Sequence, residues 1–341
     1  MRKIGILTGG ADCPGLNSVI RSVVRKAMQE GFVVTGIKNG WNGLIETDMR
    51  VLDLRVTSGI LDRGGTILGT SRMVPPLELE KMKIIAENFK RSGADALIAV
   101  GGEDTLKIGL DLYKQYGIPV VGVPKSIDNA LSGTDYAFGF DTAVNVATEC
   151  IDRLHTTVES HHHIIVVEVM GRYTGWIALE AGIAGGANII LVPEYPIDID
   201  EVCNILNARH KRGKTFSIIV VSEGAKVKGH SLGHSGPERR TLRRLTNVSE
   251  LIANLIKKRT QYETRVSVLG YIQRGGTPSA YDRIIGTRFG VRAVELVKEN
   301  LFGNMVSLHN NKVRYVSIEE AVKKRKAIDK ELYDMAKVFS G

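Results

Sequence analysis

Short apolar runs, each cut off by a loop of glycines, hydroxyls and charges, are the feature that most narrows the fold of this chain. The clearest case lies between Asp95 and Asp141. Ala96–Val100 and Val120–Val123 have the length of short strands. The first ends at Gly101-Gly102-Glu103-Asp104-Thr105, the second at Pro124-Lys125-Ser126-Ile127-Asp128-Asn129. Open α/β sheets bind ligands at the carboxyl ends of their strands. Glycines, a carboxylate pair, a lysine and a further carboxylate gathered at such an edge point to phosphoryl-transfer chemistry.

The pattern recurs along the chain. Lys3–Leu7 is an apolar strand closing at Thr8–Gly15, and Leu16, Ile20, Val23, Val24, Ala27 and Met28 then follow at helical spacing. Strand, glycine loop and helix start form a place where backbone N–H groups hold phosphate, and equally a simple tight turn. Phe32–Ile37 is expected to be a strand, Leu77–Ser92 a helix, and the residues after Asp141 a helix ending near His161-His162-His163. Strands are expected at Ile164–Val169, Asn188–Pro193, Ser217–Ser222 and Arg265–Leu269, with a small-residue helix and turn at Ala181–Gly186. Glu201–Lys211 and Val248–Lys258 read as helices, and two further helices with a strand pair finish the chain. The polar stretch Lys226–Arg244, with Arg239, Arg240, Arg243 and Arg244, reads as a solvated loop. Strands alternate with helices throughout, with the function-bearing loops at carboxyl ends. The expectation is α/β: two doubly wound, Rossmann-like domains with parallel-rich sheets and a site in the cleft between them.

Composition bears on partners. The 341 residues carry a formal net charge of +9, which favours anionic partners. The basic residues are scattered and no nucleic-acid motif occurs, so small phosphorylated ligands are expected rather than nucleic acid. Cys13, Cys150 and Cys203 form neither a CxxC pair nor a disulfide framework. Cys13 can be read as a nucleophile or as packing beneath its loop. Three adjacent histidines do not converge on one ion as i, i+4 histidines do. No apolar run approaches the ~20 residues of a membrane span, and a strand begins at once without a leader-like segment. A soluble, cytoplasmic protein is expected.

With these residues in order, the chain resembles the phosphofructokinase family over nearly its whole length. LTGGADCPGLN, RGGTILGTSR, GGEDT, PKSIDN, TDYAFGFDTA, VVEVMGRYTGW, SEG and LGYIQRGGTPSAYDR all occur in the family's order. The resemblance is to actinobacterial-type members whose donor is pyrophosphate. It implies a donor-binding domain at 1–139 plus 273–323 and a sugar-phosphate domain at 140–272 plus 324–341. Asp128 matches the base that takes the proton of the sugar hydroxyl, and Lys125 and Arg172 match the cations that stabilise the moving phosphoryl. Gly10, Ala11, Arg72, Gly102, Asp104 and Thr105 match donor-binding positions, and Glu103 the carboxylate that holds Mg2+. Ser126, His163, Met170, Gly171, Glu223, Arg265, Tyr271 and Arg274 fall at acceptor positions for fructose 6-phosphate. Asp104 stands where ATP users usually carry glycine, so pyrophosphate is the expected donor and ATP the alternative. Some phosphate-binding arginines of the family come from a neighbouring subunit, which implies a homo-oligomer, a tetramer or dimer.

Four positions depart from the family pattern. Ala11 stands for a glycine and, if its backbone is left-handed, strains the loop by about 1 kcal/mol or more. Ala130 follows Asn129 where a carboxylate is usual, His163 replaces an arginine, and Tyr271 a histidine. These leave open a different sugar acceptor or a sugar-phosphate-binding subunit of low activity. GGEDT alone also resembles a loop of NAD kinases, which does not account for PKSIDN, MGRYTGW or GYIQRGG. Arg21 and Arg25 match effector-site cations of allosteric members, whereas Asn188 and His155 do not match the partners at that site.

Overall fold

The computed structural model describes residues 1–230 and 247–339. The basic cluster at Arg239–Arg244 therefore lies outside the described residues. The chain divides into two compact units, Met1–Thr142 with Arg274–Arg325, and Ala143–Gln273 with Lys326–Gly341.

The first unit opens with β1 (Lys3–Thr8), α1 (Leu16–Gln29), β2 (Val33–Ile37), α2 (Trp41–Ile45) and β3 (Met49–Leu52). It continues through α3 (Leu79–Arg91), β4 (Ala96–Gly101), α4 (Glu103–Tyr116) and β5 (Val120–Pro124) to the first turn of α5 (Phe140–His161). The second unit carries the rest of α5, β6 (Ile164–Val169), α6 (Trp176–Ala184), β7 (Ile189–Leu191), α7 (Ile199–Lys211), β8 (Ser217–Ser222), α8 (Val248–Thr260) and β9 (Thr264–Val268). The chain then returns to the first unit as α9 (Ala280–Lys298), β10 (Asn304–His309), β11 (Lys312–Ser317) and α10 (Ile318–Lys323), and ends in the second with α11 (Lys330–Val338).

The first sheet has the order β11-β10-β5-β4-β1-β2-β3, parallel except for the edge strands β3 and β11. Every residue of β4 and β5 is buried, as strands covered by helices on both faces must be. Because β2 lies to one side of β1 and β4 to the other, the order reverses between β1 and β4. That reversal is the topological switch point at which open α/β sheets bind ligands. The second sheet, β7-β8-β6-β9, is wholly parallel. Each sheet builds its own core: Leu7, Trp41, Leu97, Leu106 and Met305 in the first, Val166, Ile197, Ile219 and Ile252 in the second.

Several expected limits move. The strand expected from Phe32 starts at Val33, and the helix expected over Leu77–Ser92 runs Leu79–Arg91. Helix α6 begins at Trp176, five residues before the expected small-residue helix at Ala181, and β7 is only Ile189–Leu191. Three helices rather than two follow Gly276. The short α2 and the edge strand β3 lie in a stretch whose local pattern marks neither.

Helices α1 and α9 approach closely because Gly286 and Gly290 of α9 have no side chains. A Cβ on Gly290 would lie 2.0 Å from Ser22 Oγ and 2.7 Å from the Val19 carbonyl oxygen. The carbonyl cannot rotate away, so Gly290→Ala is expected to push the helices apart and cost about 1–3 kcal/mol. A fall in urea midpoint read by circular dichroism checks this; an unchanged midpoint would refute it.

Candidate active site

The carboxyl ends of β1, β4 and β5 lie side by side. In register, Thr8 faces Val100 and Gly101 faces Pro124. The loops that follow are joined by backbone hydrogen bonds: Gly9 N–H donates to Val100 O at 2.9 Å, and Lys125 N–H to Gly101 O at 3.1 Å. A third loop reaches them from 63–72, where Ser71 O accepts from Gly10 N–H at 2.9 Å and the Thr70 hydroxyl donates to Gly10 O at 2.6 Å. Arg72 follows this attachment with its side chain exposed.

Thr105 explains the glycines around it. Its side chain is buried, and a Cβ on Gly9 or Gly101 would come within 2.6 Å and 2.5 Å of its Oγ1. The two glycine loops can meet only because neither carries a side chain there. The left-handed φ values of the first loop fall on Gly10, at 81°, and Gly15, at 97°. Ala11 is not among the residues with positive φ, so the strain considered for it is absent, and its side chain is exposed.

Lys125 is only 6% exposed and donates from Nζ to the Ala11 carbonyl. Burial pulls its ammonium below the usual lysine range, and Arg274 adds to this, while Asp12 and Asp128 oppose it. Arg274 donates to Asp12 O at 3.2 Å. It thus sits against the first glycine loop. Cys13 beneath this loop is 1% exposed; burial pushes its thiol up, which leaves it a packing residue rather than a nucleophile.

The loop from Pro124 to Asn129 is held by Asn129 itself. Its backbone is left-handed, at φ 48°. Its side chain accepts from Ala137 N–H at 3.1 Å and donates to Asp135 O at 3.2 Å, so one buried amide folds the loop back on itself. Asp128 N–H donates to Ser126 Oγ at 3.2 Å. Asp104 lies in the first turn of α4 behind the cap residue Gly102, where the positive end of the helix favours a carboxylate. Beside it, Glu103 accepts from Lys107 Nζ at 2.5 Å and from Arg325 Nε at 2.9 Å. The residues near it suit a magnesium ion that arrives with its phosphate ligand, since such ions need only one or two protein carboxylates. Among the described residues, no three Asp, Glu, His or Cys side chains converge.

In the second unit, Met170, Gly171 and Arg172 follow β6, and Glu223 follows the neighbouring β8. Glu223 N–H donates to Val169 O at 2.9 Å, Gly224 N–H to Gly171 O at 3.1 Å, and the Ser222 hydroxyl to Gly171 O at 2.6 Å. Gly171 and Gly224 are again forced by crowding: a Cβ would meet Ser222 Oγ at 2.3 Å or the Arg172 carbonyl oxygen at 1.9 Å. Arg172 Nε is buried without a hydrogen-bond partner among the described residues. A buried donor of this kind is satisfied by an ordered water or a bound anion. Gln273, fully buried, accepts from Met170 N–H at 3.2 Å and holds the loop from behind.

His163 and Arg265 stand elsewhere. His163 immediately precedes β6, and Arg265 is the second residue of the parallel edge strand β9, in register with Ile165. Both lie at the amino edge of the sheet, ~20 Å from Met170 by the rise of a six-residue strand. Neither stands at a strand's carboxyl end, where the sequence places the other candidate residues. Arg265 is exposed and pairs with Glu263 at 3.1 Å; Tyr271 is 82% exposed. The rings of His161 and His163 stack at 5.5 Å, while His162 turns to Thr215 Oγ1 at 2.8 Å. Asn188 and His155 are engaged by the fold itself, with Ile218 N–H at 2.9 Å and Gly185 O at 2.7 Å.

Residues 3–297 match the family described as phosphofructokinase. The chain belongs to the phosphofructokinase family. It is 51% identical over 347 residues to the pyrophosphate–fructose 6-phosphate 1-phosphotransferase of Streptomyces coelicolor, with 99% of this chain and 100% of that protein covered. It is 49% identical over 350 residues to the ATP-dependent 6-phosphofructokinase 2 of Clostridium perfringens, covering 97% and 94%. The solved phosphofructokinase of Saccharomyces cerevisiae superposes with a TM-score of 0.82 at 31% identity, over 95% of this chain; the chain spans 45% of that one. Among the described residues no helix is long and apolar enough to cross a membrane.

Proposed function

We propose that this chain transfers a phosphoryl group from pyrophosphate to the 1-hydroxyl of fructose 6-phosphate, giving fructose 1,6-bisphosphate. The observation that carries the reading is Lys125, buried against the first glycine loop and followed by Asp128 in the same catalytic loop. A cation fixed beside oriented backbone groups stabilises charge on a moving phosphoryl, and a carboxylate three residues on serves as base for the sugar hydroxyl. Gly10, Gly102, Thr105, Asp104, Arg72 and the exposed Ala11 line the donor loops. Met170, Gly171, Arg172 and Glu223 supply the sugar side, with the buried Arg172 Nε as a donor waiting for an anionic ligand. Magnesium held by Glu103 neutralises donor charge when bound. The three free thiols suit a reducing compartment such as the cytoplasm.

Asp104 favours pyrophosphate, because a carboxylate in the first turn of α4 fills space and repels the further phosphates of a nucleotide. ATP remains the second reading, favoured by the ATP-dependent name of the Clostridium relative. Turnover with fructose 6-phosphate is expected to be about tenfold or more faster with pyrophosphate than with ATP, the ratio one interaction of ~1.4 kcal/mol supplies. Asp104→Gly should narrow that ratio. Faster turnover with ATP at equal concentration defeats the donor assignment.

Glu103 bears on the metal requirement. Lys107 and Arg325 occupy both its oxygens and compete with a divalent cation. The Arg325 pair is partly exposed, so its worth is ~0.2–1 kcal/mol. Arg325→Gln should therefore lower the magnesium concentration for half-maximal rate by about 1.4- to fivefold. A rise in that concentration would count against the competition.

The placement of His163 and Arg265 at the sheet edge remote from Arg172 supports an acceptor-phosphate pocket completed by a second copy of the chain, in a dimer or tetramer. Tyr271, exposed on its turn, belongs to the same proposed contact. Asp128→Asn and Arg265→Gln chains, each weakly active alone, should recover activity when mixed and reassembled. Mixed oligomers without recovery would show that each chain builds its own site.

A further inference from the structure

Asp282 takes no part in the steps above, yet it is fully buried in the first turn of α9. One carboxylate oxygen accepts from Gly139 N–H at 2.8 Å. The other accepts from Thr142 N–H at 2.8 Å and from the Thr142 hydroxyl at 2.5 Å. The exchange is reciprocal. Ser279 N–H donates to Thr142 Oγ1 at 3.0 Å, and the Ser279 hydroxyl donates to Asp141 at 2.5 Å. Asp282 thus caps the start of α5, while Ser279 caps α9 itself, accepting from Asp282 N–H at 3.2 Å, and is tied back to Thr142 and Asp141.

The turn held this way touches both loops of the donor site. Gly139 is left-handed, at φ 96°, and a Cβ on it would lie 2.6 Å from Cys13 Sγ. Phe138, next to it, accepts at its carbonyl from Ser126 N–H at 3.3 Å and from the Cys13 thiol at 3.8 Å. Lys125 and Phe138 also pair as an isolated bridge. A Cβ on Gly15 would lie 2.9 Å from the Phe138 ring. Fastening Gly139 and Thr142 therefore fixes Phe138, and Phe138 clamps the catalytic loop at Ser126 to the first glycine loop at Cys13.

We propose that Asp282 is a positioning residue for the donor site: its ionised carboxylate draws the Gly139–Thr142 turn tight against both loops, and protonating it slackens them together. The link to donor binding rests on the function proposed above; the clamp itself does not. Three donors converge on two oxygens, and a protonated carboxyl gives up part of that accepting capacity. Burial raises this carboxyl to about 6 despite the bonds from Thr142 and Gly139, and Asp141 on α5 adds to the rise. Tyr281 on α9 and Cys13 on the first loop also feel the charge of Asp282.

The sign of the linkage makes the device testable. The folded value lies above the ordinary 3.8, so the folded chain binds this proton before the unfolded chain does. From this group alone, global stability rises as pH falls through 6. A local loosening without loss of melting temperature is therefore the signature. A purely structural carboxylate would not produce it.

Hydrogen–deuterium exchange on the full chain, corrected for intrinsic rates, reads the clamp at the amides of Ser126, Gly139 and Thr142. The hydrogen bonds from Thr142 and Gly139 hold the carboxyl lower than burial alone would, so protection there is expected to fall as the pH drops towards about 6 and to level off below it. In Asp282→Asn it should be low and insensitive to pH, with the melting temperature unchanged or higher. The KM for pyrophosphate should rise in this variant more than that for fructose 6-phosphate. If Asp282→Asn does not fold, Thr142→Val removes one donor arm and should shift both readouts in the same direction by less. Protection that ignores pH in the wild type, or survives in Asp282→Asn, overturns the clamp. Loss of protection with an unchanged pyrophosphate KM overturns the positioning role. A chain that turns over no pyrophosphate with fructose 6-phosphate defeats the proposed function, and the exchange measurement still decides the clamp.

Discussion

Everything at the carboxyl edge of the first sheet depends on two parallel ladders, β1 with β4 and β4 with β5. Their register brings three strand ends level, so three loops from distant parts of the sequence start from one edge. Without that alignment, Gly10, Glu103 and Lys125 would be scattered charges and turns. With it, bare backbone from one loop meets a buried ammonium from another, and no large side chain stands between them. Thr105 shows how tight the arrangement is, since it fills the space two glycines leave.

Charge is handled by burial and pairing rather than by abundance. The overall excess of +9 says little about where an anion binds. Lys125 is inside the protein, close to Arg274 and balanced by Asp12 and Asp128. Glu103 is engaged with Lys107 and Arg325 at the start of α4. A site with buried positive charge and left-handed glycine turns is preorganised for phosphate, because little reorganisation is left when the anion arrives.

Much of this was legible before any coordinates, and the parts that were not share a reason. Strand ends, glycine loops and the carboxylate proposed as base are local signals, written within a few residues of one another. The second shell is not local. Asp282 lies 143 residues from Gly139, its hydrogen-bond donor, and Arg325 lies 222 from Glu103. Asn129 was visible as part of a motif, but its task of folding the loop back onto Ala137 was not. The strain considered at Ala11 depended on a backbone angle that composition cannot supply; the left-handed residues of that loop are Gly10 and Gly15. The resemblance already implied that some phosphate-binding residues come from a neighbouring subunit; only the parallel direction of β6 and β9 put His163 and Arg265 at the edge away from Arg172.

The sequence by itself determined the alternation of strands and helices, the family, and the residues fit for phosphoryl chemistry, because each follows from short-range pattern and residue type. Tertiary structure alone decided which of those residues meet. It made Cys13 a buried packing group, moved Arg274 to the first glycine loop, and turned an unremarked aspartate in α9 into the fastening of two loops. Burial and convergence arise from contacts between chain segments hundreds of residues apart, and only the folded ladders bring those segments together.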